Sequence, residues 1–171
     1  VLCTFHPETK NDQSFNELKI FIQALQSLPS DEFTIIFTAS NGDREGFKFN
    51  KFIKKQVLAT PNFYFFDSLG IDLYLRTMKC SDLVAGNSSS GLHEAPSLRV
   101  PTLDIGNRQQ GRLRGDSVLN VNTSKSAIIK GIKKQIENNE CSNFDNPYVK
   151  ESDSSKTIYK ILKRKINKKL I

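Results

Sequence analysis

The sequence predicts an α/β fold, a parallel sheet with helices on both faces. Three observations carry that expectation. Short runs rich in Phe, Ile and Val alternate with amphipathic stretches along the chain. One run, FTIIFT at residues 33–38, is apolar and β-branched on both sides, as a strand buried between two helical layers must be. Polar residues then gather just after the runs, where a parallel sheet presents the ends of its strands.

The elements follow in order. Residues 1–5 (VLCTF) read as a strand. Ser14 and Glu17 have capping-box spacing, each side chain placed to satisfy the other's backbone donor at a helix start. Leu18, Phe21, Ile22 and Leu25 continue as a helical stripe that stops before Pro29. Residues 33–38 form the second strand, 47–57 a basic helix, and 62–66 (NFYFF) a third strand after Pro61. A helix over 72–79, a short buried strand over 83–86 (LVAG) and a helix over 90–98 come next. Strands over 102–105 and 118–121, a helix over 126–137 and a terminal helix from about 154 complete the set. The simplest organisation is one domain over residues 1–150, with residues 151–171 as a basic amphipathic helix packed on it.

Composition bounds the function. The chain has 171 residues, 37% hydrophobic and 25% charged, with twelve Phe and no Trp. No run approaches the roughly 18 apolar residues of a membrane span, so no membrane partner is expected. The opening residues lack a basic region followed by a long apolar one, so no signal peptide is expected. A first residue other than Met and a start in the middle of an apolar run suggest a piece of a longer protein. Cys3, Cys80 and Cys141 show no metal-ligand spacing and cannot all pair, which points to the reducing cytoplasm. Of the net charge of +7, +6 lies in residues 150–171, so the body is nearly neutral. In that tail Ile158, Ile161, Leu162, Ile166 and Leu170 recur at helical spacing between lysines. A docked helix with a solvated Lys face is expected in preference to nucleic-acid binding, which places basic residues on the fold itself.

Four strand ends carry chemistry-bearing residues. His6 follows the first, and Asn41 and Asp43 follow the second. The run 86-GNSSSGLHEAP-96 joins the fourth strand to a helix, and Arg108 and Arg112 follow the fifth. Ser88, Ser89 and Ser90 offer hydroxyls and backbone N–H groups at a helix start, which suits an anion, phosphate above all. Glu94, about one turn on, suits the two hydroxyls of a ribose. The same run also reads as a Ser-rich cap with an ordinary surface Glu, and the residues alone leave both open. Neither the Walker spacing nor GxGxxG is present. Arg108 and Arg112 suit phosphate through their forked donors and equally suit a solvated loop. His6 reads either as a hydrogen-bonded structural residue or as one that donates to phosphate or moves a proton. His93 reads as structural, and no zinc spacing is present.

Taken together, HPET at 6–9, SNGD at 40–43, GNSSSGLHEAP at 86–96, GNRQQGRLRGDSVLNV at 106–121 and NPY at 146–148 resemble the C-terminal half of the hydrolysing UDP-N-acetylglucosamine 2-epimerases. The resemblance implies a Rossmann-like domain, one half of a GT-B architecture. It implies UDP binding by His6, Asn41, Ser88, Ser89, Glu94 and Arg108, with Ser90 in the same loop. Tyr74 falls where the family often has an aromatic near the uracil. It implies His6 as the catalytic candidate, a UDP-sugar as substrate, UDP as product, and no metal or redox cofactor. A second domain upstream, a homo-oligomer when full length, and no nucleic acid are implied as well. The non-hydrolysing branch carries HRRE where this chain has His6-Pro7-Glu8-Thr9, which favours the hydrolysing branch. Alternatives are a hydrolase of a UDP-diacetamido-trideoxyhexose, a glycosyltransferase of the same architecture, or a nucleotide-binding module without catalysis.

Overall fold

The backbone pairing of a computed structural model bears out the parallel sheet. The structure describes residues 1–8, 12–137, 144–149 and 153–167. The strands are β1 (Leu2–Thr4), β2 (Ile35–Thr38), β3 (Phe63–Phe66), β4 (Val84–Gly86), β5 (Thr102–Ile105) and β6 (Val118–Val121). The helices are α1 (Ser14–Leu25), α2 (Arg44–Val57), α3 (Gly70–Lys79), α4 (Ser90–His93), α5 (Lys125–Glu137) and α6 (Ser154–Asn167), with a 3₁₀ turn at Pro96–Leu98. All pairs are parallel, in the order β3-β2-β1-β4-β5-β6. The chain grows outward one way from β1 to β3, then returns to β4 on the other side of β1. The order therefore reverses between β1 and β4, where open α/β sheets form a crevice beyond their strand ends.

The register divides the sheet into two faces. Cys3, Phe37, Phe65, Ala85, Leu103 and Leu119 stand in one row, with α1, α2 and α5 packed over them. Phenylalanines dominate this layer. The Phe5 and Phe21 rings are 5.4 Å apart, as are those of Phe37 and Phe63. Phe49 and Ile53 bring the inner face of α2 onto the same cluster. Leu2, Ile36 and Val84 point to the opposite face, under Met78 of α3 and Ala95 and Val100.

Several local expectations are corrected. The capping box does not form: Ser14 is already inside α1, and its hydroxyl accepts from the backbone N of Glu8 at 3.0 Å. The hydroxyl is used to pin the loop after β1 instead of the helix start. Helix α2 begins at Arg44, three residues earlier than expected, because the Asp43 carboxylate caps it by accepting from the N of Gly46 at 2.7 Å. Asp43 is thus a cap. The helix expected over 90–98 is one turn, α4, followed by the 3₁₀ turn that Pro96 opens. The C-terminal helix forms, but Ile158, Ile161, Leu162 and Ile166 are each more than half exposed. Helix α6 does not bury its apolar stripe on either sheet face. Leu170 of the expected stripe and Cys141 lie outside the described residues.

Candidate functional site at the sheet's switch point

The face carrying Leu2 and Val84 changes character one residue before the strands end. Thr38, Thr4, Gly86 and Asp104 are neighbours in a single row across β2, β1, β4 and β5. A Cβ at Gly86, whose φ is +141°, would meet the Thr4 carbonyl oxygen at 2.0 Å, so only glycine lets β4 turn there. The chain then passes directly into Asn87 and the three serines.

Asn87 is fully buried and ties the two central strand ends together. Its Oδ1 accepts from the His6 backbone N at 2.7 Å, and its Nδ2 donates to the His6 carbonyl at 2.9 Å. Its own carbonyl accepts from Arg108 Nη1 at 2.9 Å and from Gln109 Nε2 at 2.7 Å. The crossover between β5 and β6, residues 106–117, is thereby folded back over the serine loop, which brings Arg108 beside it. Burial draws the Arg108 guanidinium below its usual value, helped by the nearby charge of Arg112 and opposed by Glu8.

His6 faces this group from the end of β1. Its Nδ1 accepts from the backbone N of Asn41 at 3.3 Å, which leaves the imidazole proton on Nε2. Burial and then the charge of Arg108 lower its pKa to about 4, while Asp43 acts in the opposite sense. At neutral pH His6 is therefore an uncharged donor. Asn41 is exposed beside it. Ser40 fixes this corner, its hydroxyl donating to the Phe5 carbonyl and its N to Asn50 Oδ1 at 2.8 Å.

The serines are half-buried and open to one side. Ser90 Oγ donates to Ser88 Oγ at 3.1 Å and lies 2.7 Å from the Tyr74 hydroxyl. Burial raises the Tyr74 phenol, its bond with Ser90 opposes that, and the charge of the exposed Glu94 adds to it. Gly91 lets this segment lie flat on β5, since a Cβ there would meet Thr102 Cγ2 at 2.5 Å. A hollow of about 340 Å³, lined by Thr38, Asp67, Leu69, Ile71 and Tyr74, opens next to the row.

His6, Asn41, Ser88, Ser89, Ser90, Glu94, Arg108 and Tyr74 thus share one rim. Arg112 is exposed in the same crossover, and His93 instead meets Tyr148 edge to face, ring centroids 4.2 Å apart, as a structural residue would. Sequence reasoning missed Asn87 and Gln109, which hold the rim together, and Thr4 and Thr38 beneath it. An Asn directly after a strand-ending Gly was the available signal for the first. Gln109 had none, because its burial comes from a crossover whose path only the tertiary structure defines. Among the described residues no group of three or more His, Cys, Asp or Glu is placed to hold a metal.

A doubly wound parallel sheet with a polar rim at its switch point defines an α/β domain of the Rossmann-like class. Comparison with known proteins makes the family specific. The chain belongs to the UDP-N-acetylglucosamine 2-epimerase family, whose profile matches residues 1–163. It is 36% identical over 154 residues to the polysialic acid biosynthesis protein P7 of Escherichia coli, covering 88% of this chain and 39% of that protein. It is 34% identical over 142 residues to a hydrolysing GDP/UDP-N,N'-diacetylbacillosamine 2-epimerase of Campylobacter jejuni, covering 81% and 36%. Its fold superposes on the UDP-GlcNAc 2-epimerase of Methanocaldococcus jannaschii, solved with UDP-GlcNAc and UDP, with a TM-score of 0.73 at 19% identity, over 95% of this chain and 45% of that one. The chain spans less than half the length of each of these relatives.

Proposed function

We propose that this chain is the UDP-binding part of a hydrolysing UDP-sugar 2-epimerase. The observation that carries the proposal is the meeting of His6, the serine loop and Arg108 around buried Asn87, at the one place where the strand order reverses. The diphosphate lies against Ser88, Ser89 and Arg108, and His6 donates to it through Nε2–H. Glu94 accepts from the ribose hydroxyls, and the hollow beside Tyr74 takes the uracil. Helix α4 is a single turn, so its dipole contributes little, and the side-chain donors carry the anion.

The chemistry follows from the leaving group. In UDP-N-acetylglucosamine, loss of the C2 proton and cleavage of the C1–O bond give a glycal and UDP. Water then adds across C1 and C2 to give N-acetylmannosamine. Donors aimed at the departing diphosphate stabilise the charge that develops on it. The residues of this chain bind and stabilise UDP, and the C2 base is assigned to the part of the longer protein that the chain does not span. Cys3, its thiol pushed up to about 12 by burial, and Cys80 are free, which supports a reducing, cytoplasmic setting. The likeness to the Campylobacter jejuni protein favours one second reading, a UDP-diacetamido-trideoxyhexose as the sugar substrate.

Calorimetry with UDP on the 171-residue chain tests the binding claim. Saturable binding is expected, weakened about tenfold or more by Ser89→Ala with Glu94→Ala. A folded chain that gives no UDP-dependent heat sinks it. Assaying the full-length enzyme on both UDP-sugars decides between the two substrates.

A further inference from the structure

Three hydroxyls, those of Tyr74, Ser90 and Ser88, run in series at the serine loop. The phenol oxygen is 2.7 Å from Ser90 Oγ, which lies 3.1 Å from Ser88 Oγ. Each hydroxyl has one proton to give and two lone pairs to receive with. Ser88 Oγ is approached by two donors, Ser90 Oγ and the Ser90 backbone N, the latter at 3.4 Å. Its lone pairs are thereby engaged on the protein side, and its own proton is left to point out of the loop. Ser90 spends its single proton on Ser88, so the link to Tyr74 is completed only if the phenol donates to Ser90. Each donor in such a series strengthens the next.

We infer that Tyr74 is a positioning residue whose hydroxyl, through Ser90, orients Ser88 so that the Ser88 proton is presented to a diphosphate. The inference rests on the UDP reading above and deepens it. It divides the three serines: Ser88 touches the ligand through its hydroxyl, whereas Ser90 serves as a relay. It also divides Tyr74, whose ring lines the hollow for the base while its oxygen acts on the phosphate side.

The test is a double-mutant cycle on the 171-residue chain with UDP, uridine and inorganic pyrophosphate as probes. Tyr74→Phe keeps the ring and removes the oxygen. It is expected to weaken UDP and pyrophosphate by about three- to tenfold and to leave uridine unchanged. Ser88→Ala weakens the same two probes, and the double variant is no weaker than Ser88→Ala alone, because both changes break one series. Should Tyr74→Phe fold poorly, Ser90→Ala cuts the series one link further on and must give the same selective loss. Additive losses, or a uridine loss equal to the UDP loss, overturn the inference while leaving UDP binding intact. Unchanged UDP affinity in both Tyr74→Phe and Ser90→Ala overturns it as well. A wild-type chain that binds neither UDP nor pyrophosphate overturns this inference and the proposed function together.

Discussion

The two faces of the sheet are built from the same strands and end differently. On the face under α1, α2 and α5, the apolar side chains continue to the last residue: Phe5 beyond β1, Ile105 in β5 and Val121 in β6. On the other face the apolar rows stop one residue short, and Thr38, Thr4, Gly86 and Asp104 take over. The second face also carries a small core, since Leu2, Met78, Val84, Ala95 and Val100 make up its buried cluster. The larger apolar core and the polar rim thereby fall on opposite sides of one backbone. A substitution on the aromatic face should act on folding and one on the polar rim on binding, and exceptions would show where the two are coupled.

The largest effect should come from the aromatic face. Phe21 is fully buried against Phe5 and Phe37. Phe21→Ala is expected to cost about 3–5 kcal/mol by loss of burial and creation of a cavity. That is a fall in melting temperature of roughly 10 °C for a domain of this size, read by calorimetry. UDP affinity of the folded fraction should stay within about twofold of wild type, on the order of 0.4 kcal/mol. A tenfold loss of affinity would mean the two faces are not separable.

Asn87 is where the separation should fail. Asn87→Ala leaves the half-buried N–H and carbonyl of His6 without these partners. The expected cost is about 2–4 kcal/mol in urea unfolding, together with at least tenfold weaker UDP binding, because His6 and the serine loop lose their tie. Lost stability with unchanged affinity would reduce Asn87 to a structural residue.

A pH dependence sharpens the contrast further. His6 titrates at about 4 in the fold and near 6.5 as an ordinary imidazole. Between those values the unfolded chain takes up a proton that the native chain refuses. The contribution of His6 is complete above pH 6.5 and is lost as the pH falls, by up to about 3 kcal/mol at pH 4. The measurement is the stability difference between wild type and His6→Asn at pH 7.5, 5.5 and 4.5. A difference that stays flat over that range would place His6 in solvent.

Both faces were legible in part. The strands appeared as Phe-, Ile- and Val-rich runs because burial between two helical layers demands such residues, and Phe63–Phe66 and Val118–Val121 fell within a residue of the expected bounds. The rim was legible as a set, since His6, the serines and Arg108 all follow strand ends. Contacts that depend on which way a side chain turns were not. Ser14 had capping-box spacing, yet its hydroxyl serves the loop after β1. Thr4 and Thr38 looked like ordinary β-branched strand residues. Only the register, which puts them side by side, shows their hydroxyls bonded to each other at the strand ends.

Helix α6 marks the limit of reasoning from pattern, and it carries the smallest expected effect. Its Ile and Leu residues recur at helical spacing with lysines between them, the signature of a docked amphipathic helix. That pattern specifies a stripe on the helix and says nothing about what lies opposite. Ile161 and Leu162 are about half exposed. Ile161→Ser with Leu162→Ser should therefore change the stability of this chain by no more than about 0.5 kcal/mol, as for surface positions. Urea unfolding of the double variant beside wild type is sufficient to measure it. A loss above about 2 kcal/mol, of the size that removing buried Leu or Ile side chains produces, would mean that the stripe is covered within the chain itself. The division of labour would then extend beyond the two faces of the sheet.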